Sequence, residues 1–240
     1  MQGMRYLSLL LLLTSPAWAQ APLGPPGIPA DRFPLPQRQV ASIISDRWAN
    51  EDQRERAGEA QRVMDFLQIK PGMTVADIGA GSGYYVPRLS ARVGPSGRVM
   101  AQDVVPSYLA ALSRRVQAEG LTNVQTGLGE AHDPRLPERS VDVAILIHMY
   151  HEIGQPYALM ANLVPALRPG AVVGIVDTTR QTQYHGTPPA LLDCELAAVG
   201  YRRSGTLPME NGMEYLAVFV PPAIALSPEM IQKSVSACRP

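Results

Sequence analysis

The chain has 240 residues, 46% of them apolar, enough for one domain with a sizeable core and short additions. Its 21 basic and 21 acidic residues cancel. No basic stripe appears, so nucleic acid is not expected as a partner. The two cysteines, Cys194 and Cys238, form no CxxC, so they indicate neither a zinc site nor a disulfide framework. A single bridge between them and two free thiols both stay open.

Residues 1–19 read as a signal peptide. Arg5 precedes the apolar run Tyr6 to Leu13, and Ala17-Trp18-Ala19 gives an A-x-A cleavage site. The run falls short of the roughly 20 residues that span a bilayer. Export to the periplasm or beyond is expected, with no stable membrane span after cleavage. Residues 20–45 hold Pro22, Pro25, Pro26, Pro29, Pro34 and Pro36 and read as a linker. Residues 46–221 form the domain and 222–240 a loosely attached tail.

Within the domain, Asn50 looks like an N-cap with Glu51 and Asp52 in the first turn. Ala60, Val63, Met64 and Leu67 continue one helix from Glu51 to Leu67, closed by Pro71-Gly72. Thr74 to Ile78 is a buried strand, followed by three glycines in five residues and a helix from Tyr84 to Val93. Gly97 to Asp103 is a second strand ending in an acid. Pro106 opens a helix carrying Leu109, Leu112 and Val116 on one face. Asn123 to Leu128 is a third strand, and Gly129 to Ser140 a charged, proline-containing loop. Val141 to Ile147 is a fourth, strongly apolar strand. Pro156 to Leu167 is a helix, and Ala171 to Val176 a fifth strand ending at Asp177. Thr187 caps a helix begun by Pro188 and ended by Gly200. Tyr201 to Leu207 and Met213 to Val220 form a closing antiparallel pair.

Strand and helix alternate five times, with strands apolar on both faces. The expected fold is α/β: a doubly wound, mostly parallel, seven-stranded Rossmann-like sheet with an antiparallel C-terminal hairpin. Such sheets bind ligands beyond the C-terminal ends of their strands. That edge holds Gly79 to Gly83, Asp103, Gly129 to Asp133, His148 to Glu152, and Asp177 onward.

The glycines are spaced G-x-G-x-G, with Asp77 two residues earlier; a dinucleotide fingerprint wants G-x-G-x-x-G. Asp103, 20 residues after Gly83, suits ribose hydroxyls in either class. Here the chain resembles the class I S-adenosyl-methionine-dependent methyltransferases. Asp77-Ile78-Gly79-Ala80-Gly81-Ser82-Gly83 matches their first motif and Asp103 their second-strand acid. Leu136-Pro137 with Ser140-Val141-Asp142-Val143 looks like their "LP…SFD" entry to strand four, and Leu167-Arg168-Pro169-Gly170-Ala171 like their "L(K/R)PGG" turn. The resemblance spans Glu51 to Pro221. It is nearest to the small-molecule type that includes ubiquinone/menaquinone-biosynthesis enzymes, and to exported, uncharacterised members with His-Met-Tyr-His-Glu after strand four.

The resemblance implies S-adenosyl-L-methionine as cofactor, held by Asp77, Gly79, Ala80, Gly81, Gly83, Tyr84, Asp103, Val104 and His148. The loop Gly129 to Asp133 would supply an adenine contact, Glu130 or, preferred, Asp133. Methyl transfer from an activated donor is chiefly a matter of positioning, with a base needed only for a protonated nucleophile. His151, with Glu152 orienting it and Tyr150 beside it, is the candidate catalytic group. A metal set of His148, His151, Asp177 and His185 is an alternative, and the expectation is that no metal is bound. The segment before Pro71 and the loop Arg180 to Pro189 are expected to form a lid. The competing functions are an NAD-type oxidoreductase and a non-catalytic S-adenosyl-methionine-binding protein. The expected partner is a small-molecule methyl acceptor of unread identity; the sequence says nothing of oligomeric state.

Overall fold

A computed structural model describes residues 21–43, 51–209, 212–235 and 238. The expected signal segment and the expected cap Asn50 lie outside them. The sheet has seven strands: β1 Thr74–Ile78, β2 Arg98–Asp103, β3 Val124–Leu128, β4 Val141–Ile147, β5 Leu167–Thr178, β6 Arg202–Pro208 and β7 Glu214–Val220. Their order is β3-β2-β1-β4-β5-β7-β6. β1 to β5 pair in parallel, while β7 runs antiparallel between β5 and β6. The doubly wound sheet with a terminal hairpin is therefore as expected.

The helices are α1 Glu51–Arg56, α2 Glu59–Phe66, α3 Tyr85–Val93, α4 Pro106–Ala118, α5 Pro156–Leu163, α6 Pro189–Ala198 and α7 Pro228–Ser234. Alternating strand residues feed two cores. Val143 and Ile145 join Val63, Leu89 and Val93 on the α2/α3 side. Ala144 and Leu146 join Met160, Leu192, Leu196 and Ile231 on the α5/α6/α7 side. Every residue of β1 is buried, as a central parallel strand covered on both faces requires.

Three expected elements differ. The helix Glu51 to Leu67 is two helices, because Gly58 takes a left-handed φ of 62° between them. The helix Pro156 to Leu167 stops at Leu163; a 3-10 turn holding Pro165 follows. β5 accordingly starts at Leu167 and runs on through Asp177. Thr187 does not cap α6; its hydroxyl donates to Asp177 Oδ2 at 2.7 Å.

The flanking segments lie against the domain. Phe33 and Ala41, from the stretch read as a linker, are buried. Arg38 is enclosed: its Nε donates to Glu195 Oε1 at 2.9 Å, and its other nitrogens reach the carbonyls of Tyr150, His151 and Ile153. At the other end Ile231 and Val235 are buried, and Cys238 is joined to Cys194 of α6 by a disulfide. Among the described residues no helix is long and apolar enough to cross a membrane.

Candidate functional site

The parallel strands end beside one cavity of about 1030 Å³, mouth included. It opens at the switch point between β1 and β4, where doubly wound sheets bind their ligands.

The loop from β1 to α3 forms one wall. Gly79, Gly81 and Gly83 have φ of 70°, 55° and 82°, a region that side chains resist. A Cβ on Gly79 would stand 2.8 Å from Met149 Cε, and one on Gly83 2.4 Å from Leu112 Cδ1. Gly79, Ala80, Gly81 and Tyr84 line the cavity; Gly83 instead turns the chain into α3. The loop is tied to β2: Ala80 N donates to the Gln102 carbonyl at 2.9 Å and Gly81 N to Asp103 Oδ2 at 2.8 Å.

Asp103 and Asp77 are both buried acids on the cavity wall. The Asp103 Oδ1 accepts from Val105 N at 2.8 Å, and the carboxylate keeps acceptor capacity for a ligand. Burial pushes the Asp103 carboxyl up, against the pull of the Val105, Gly81 and Val104 amides. Burial drives Asp77 up to about 7; nearby Arg54 pulls it down and Asp103 pushes it further up. Val104 completes this wall.

The loop after β3 corrects one expectation. Asp133 is taken up by the N-terminal segment: its Oδ2 accepts from Gly27 N at 2.6 Å and its Oδ1 from Arg135 N at 2.8 Å. It does not line the cavity, whereas Glu130 does. Asp133 spends its lone pairs on backbone N–H groups, and of the two acids only Glu130 is open to a ligand in the cavity.

After β4, His148 lines the cavity with a left-handed φ of 54°. Its Nε2 lies 3.6 Å from Glu59 Oε2. Glu59 also accepts two bonds from Arg54, at 2.6 and 3.0 Å, and one from the Tyr85 hydroxyl at 2.9 Å. Burial opposes charge on Glu59, but His148 and Arg54 hold its carboxyl far below the usual carboxylate range. Arg54 itself lines the cavity and stacks on Tyr84, 3.9 Å from the ring centre. Sequence reasoning missed Arg54 and Glu59. They stand on two helices broken at Gly58, so no helical spacing joins them.

The three expected catalytic residues separate. Tyr150 is fully buried away from the cavity, its hydroxyl donating to Glu195 Oε2 at 2.9 Å; it belongs to the buried Arg38 network. His151 is also fully buried. Its Nδ1 lies 2.9 Å from Asp177 Oδ1, and its Nε2 lies 3.9 Å from Glu152 Oε1. Only Glu152 reaches the cavity wall. The expected order is thus reversed: Glu152 faces the ligand space and His151 backs it. The alternative metal set does not converge, since His148 turns to Glu59 and Asp177 is enclosed by His151, Thr178 and Thr187.

A family model described as "Methyltransferase domain" matches residues 75–170. Nocamycin O-methyltransferase of Saccharothrix syringae is 29% identical over 116 residues, 48% of this chain and 41% of that protein. Demethylmenaquinone methyltransferase of Bacillus cytotoxicus is 26% identical over 124 residues, 52% and 51% of the two chains. The chain thus spans about two fifths to one half of these curated relatives. Among solved structures, a SAM-dependent methyltransferase from Aquifex aeolicus superposes with a TM-score of 0.66 at 25% identity, over 74% of this chain and 98% of that one.

Proposed function

We propose that this chain, a class I S-adenosyl-methionine-dependent methyltransferase, transfers a methyl group to a small-molecule acceptor held between the β1–α3 loop and Glu152. The observation that carries this reading is the placement of Asp103. A buried carboxylate at the end of β2, anchored to Gly81 N, faces the same cavity as the left-handed glycine loop. Its free lone pairs suit a vicinal diol, and the glycine loop leaves backbone exposed to a ligand.

S-adenosyl-methionine supplies an activated methyl group when bound. Asp103 and Val104 would hold its ribose end, Gly79 to Gly81 its amino-acid end, and Glu130 the edge of its base. Asp77 and Arg54 set the charge at the glycine loop. Glu152 is placed to take the proton of an acceptor hydroxyl, thiol or amine, and the buried His151 ring lies behind that carboxylate. The balanced net charge favours a small acceptor over a nucleic acid.

Calorimetry against S-adenosyl-homocysteine and NAD tests the cofactor. Saturable heat with the former alone is expected; binding of NAD alone would overturn the reading. Transfer of labelled methyl from S-adenosyl-methionine into an extract of small molecules separates an enzyme from a non-catalytic binder.

We also propose that the chain is exported. The pattern of residues 1–19 supports this, as does the Cys194–Cys238 disulfide, a bond suited to oxidising compartments. N-terminal sequencing of the mature protein is the check: retention of Met1 on a cytosolic product would contradict export.

A further inference from the structure

The turn after β4 and the loop after β5 bring three ligand-type side chains together at the cavity's edge. One ligand atom each from His151, Glu152 and His185 lies within 4.8 Å of the other two. Glu152 Oε1 is 3.9 Å from His151 Nε2 and 4.0 Å from His185 Nδ1. We propose that these three residues bind a divalent transition cation of the zinc class, with an open coordination position facing the cavity.

The strongest support is the state of His151. Asp177 accepts from Thr178 N at 2.7 Å through Oδ1 and from the Thr187 hydroxyl at 2.7 Å through Oδ2. A carboxylate already accepting at both oxygens takes a further proton donor at 2.9 Å, so His151 donates from Nδ1. Its lone pair is then on Nε2. That atom is fully buried and has no hydrogen-bond partner, and it points toward Glu152. A buried carboxylate fixing one imidazole nitrogen so that the other presents its lone pair is the support that metal-ligating histidines need.

The donor set chooses the ion. Two imidazoles and one carboxylate suit zinc and its first-row neighbours; magnesium and calcium prefer all-oxygen shells. Metal–ligand bonds of about 2.0–2.2 Å place tetrahedral ligands roughly 3.4 Å apart. The two separations from Glu152, 3.9 and 4.0 Å, therefore need only about half an ångström of closure, and the two histidine nitrogens, within 4.8 Å of each other, need at most about 1.4 Å. The backbone already holds the third ligand in place: the His185 carbonyl accepts from Thr178 Oγ1 at 3.0 Å, and His185 N donates to the Thr182 carbonyl. Three protein ligands leave the fourth position vacant for a substrate atom, and Glu152 turns that position toward the cavity. There the ion would orient an acceptor oxygen or sulfur and favour its ionised form. This last role rests on the methyltransferase reading; binding of the ion does not.

The test uses the full chain, free of any affinity tag, stripped with a chelator and then dialysed clear of it. Zinc is titrated by calorimetry and cobalt by its visible absorption, both without cofactor. One saturable site of about micromolar Kd or tighter is expected, with the intense bands of low-coordinate cobalt. His185→Ala and Glu152→Gln should each weaken it at least tenfold, and Asp177→Asn about 10–100-fold. His132→Ala, at a histidine that lies outside the cluster and pairs with Glu130, should leave it unchanged. No saturable binding up to millimolar zinc, or a loss on His132→Ala but not on His185→Ala, would overturn the proposal. Affinity for S-adenosyl-homocysteine, measured on the same stripped protein, reports on the cofactor site separately.

Discussion

His151 Nδ1 and Asp177 Oδ1 lie 2.9 Å apart, and neither residue exposes any surface. The pair joins the ends of two adjacent parallel strands, β4 and β5, where the turn of Tyr150 to Glu152 leaves the sheet. Because Asp177 is itself fixed by Thr178 and Thr187, the imidazole has one orientation available. Glu152, the next residue, inherits that orientation and is delivered to the cavity wall.

Glu152→Gln removes a proton acceptor at the wall while keeping its shape. Methyl transfer to a protonated acceptor should fall about 100-fold in kcat, the usual scale for one general base. Affinity for S-adenosyl-homocysteine, read by calorimetry, should stay within about twofold. Equal losses in both would show that Glu152 shapes the cofactor site instead.

Asp77 should impose a pH dependence on folding. Its folded pKa, about 7, lies above its ordinary value, so the native state holds a proton that the unfolded chain has released. Stability from this group is full below about pH 4 and is lost as pH rises toward 7, at about 1.4 kcal/mol per pH unit. Asp77→Asn removes the dependence. Denaturant melts of both proteins should coincide best near pH 4, with the variant gaining from there to pH 7 and the difference constant above. A difference flat across that range would show Asp77 to be ionised throughout.

Asp103→Asn exchanges a charged acceptor for an amide. The oxygen that remains can still accept from Gly81 N and hold the glycine loop, while the amide nitrogen gives up the bond from Val105 N. A lost charged hydrogen bond to a ribose costs about 1.5–3 kcal/mol, so S-adenosyl-homocysteine should bind roughly 10–150-fold more weakly by calorimetry. Unchanged affinity would move the ribose site elsewhere.

Reducing the Cys194–Cys238 bridge opens a closure of 44 residues. The chain-entropy scale for such a loop is about 4 kcal/mol, and measured effects are commonly smaller. Cys238→Ser should therefore lower Tm by several degrees under oxidising conditions. Reductant should lower the Tm of the parent and leave the variant's alone. Equal melting of the two would show that α7 holds by packing of Ile231 and Val235 without the bridge.

What sequence could reveal of this site was what it encodes locally. Asp77, the glycines and Asp103 follow one another within two strand-to-helix turns, and each has a role set by its own backbone. Asp133 and Tyr150 misled because their partners, Gly27 and Glu195, are 106 and 45 residues away. No local pattern says that a carboxylate is already occupied, or that a hydroxyl is turned into the core. Arg54 and Glu59 were hidden for the same reason: their meaning comes from Tyr84, Tyr85 and His148 across the fold. The hairpin and the parallel order were legible because hydrophobic runs and turn residues repeat along the chain. The extent of β5 was not, because Pro169-Gly170 reads as a break and the strand carries on through it.

The enclosure of Arg38 bears on where this molecule can be cut. A fragment trimmed to begin after it would keep every strand, the glycines of the β1–α3 loop and the whole span that matches the family model. It would also strand Glu195 as a buried carboxylate, and stripping one member from such a pair costs about 3–5 kcal/mol. Three carbonyls of the Tyr150 to Ile153 turn would each lose a donor with it. The smallest piece that resembles a methyltransferase is thus smaller than the smallest piece that can shape this one's pocket.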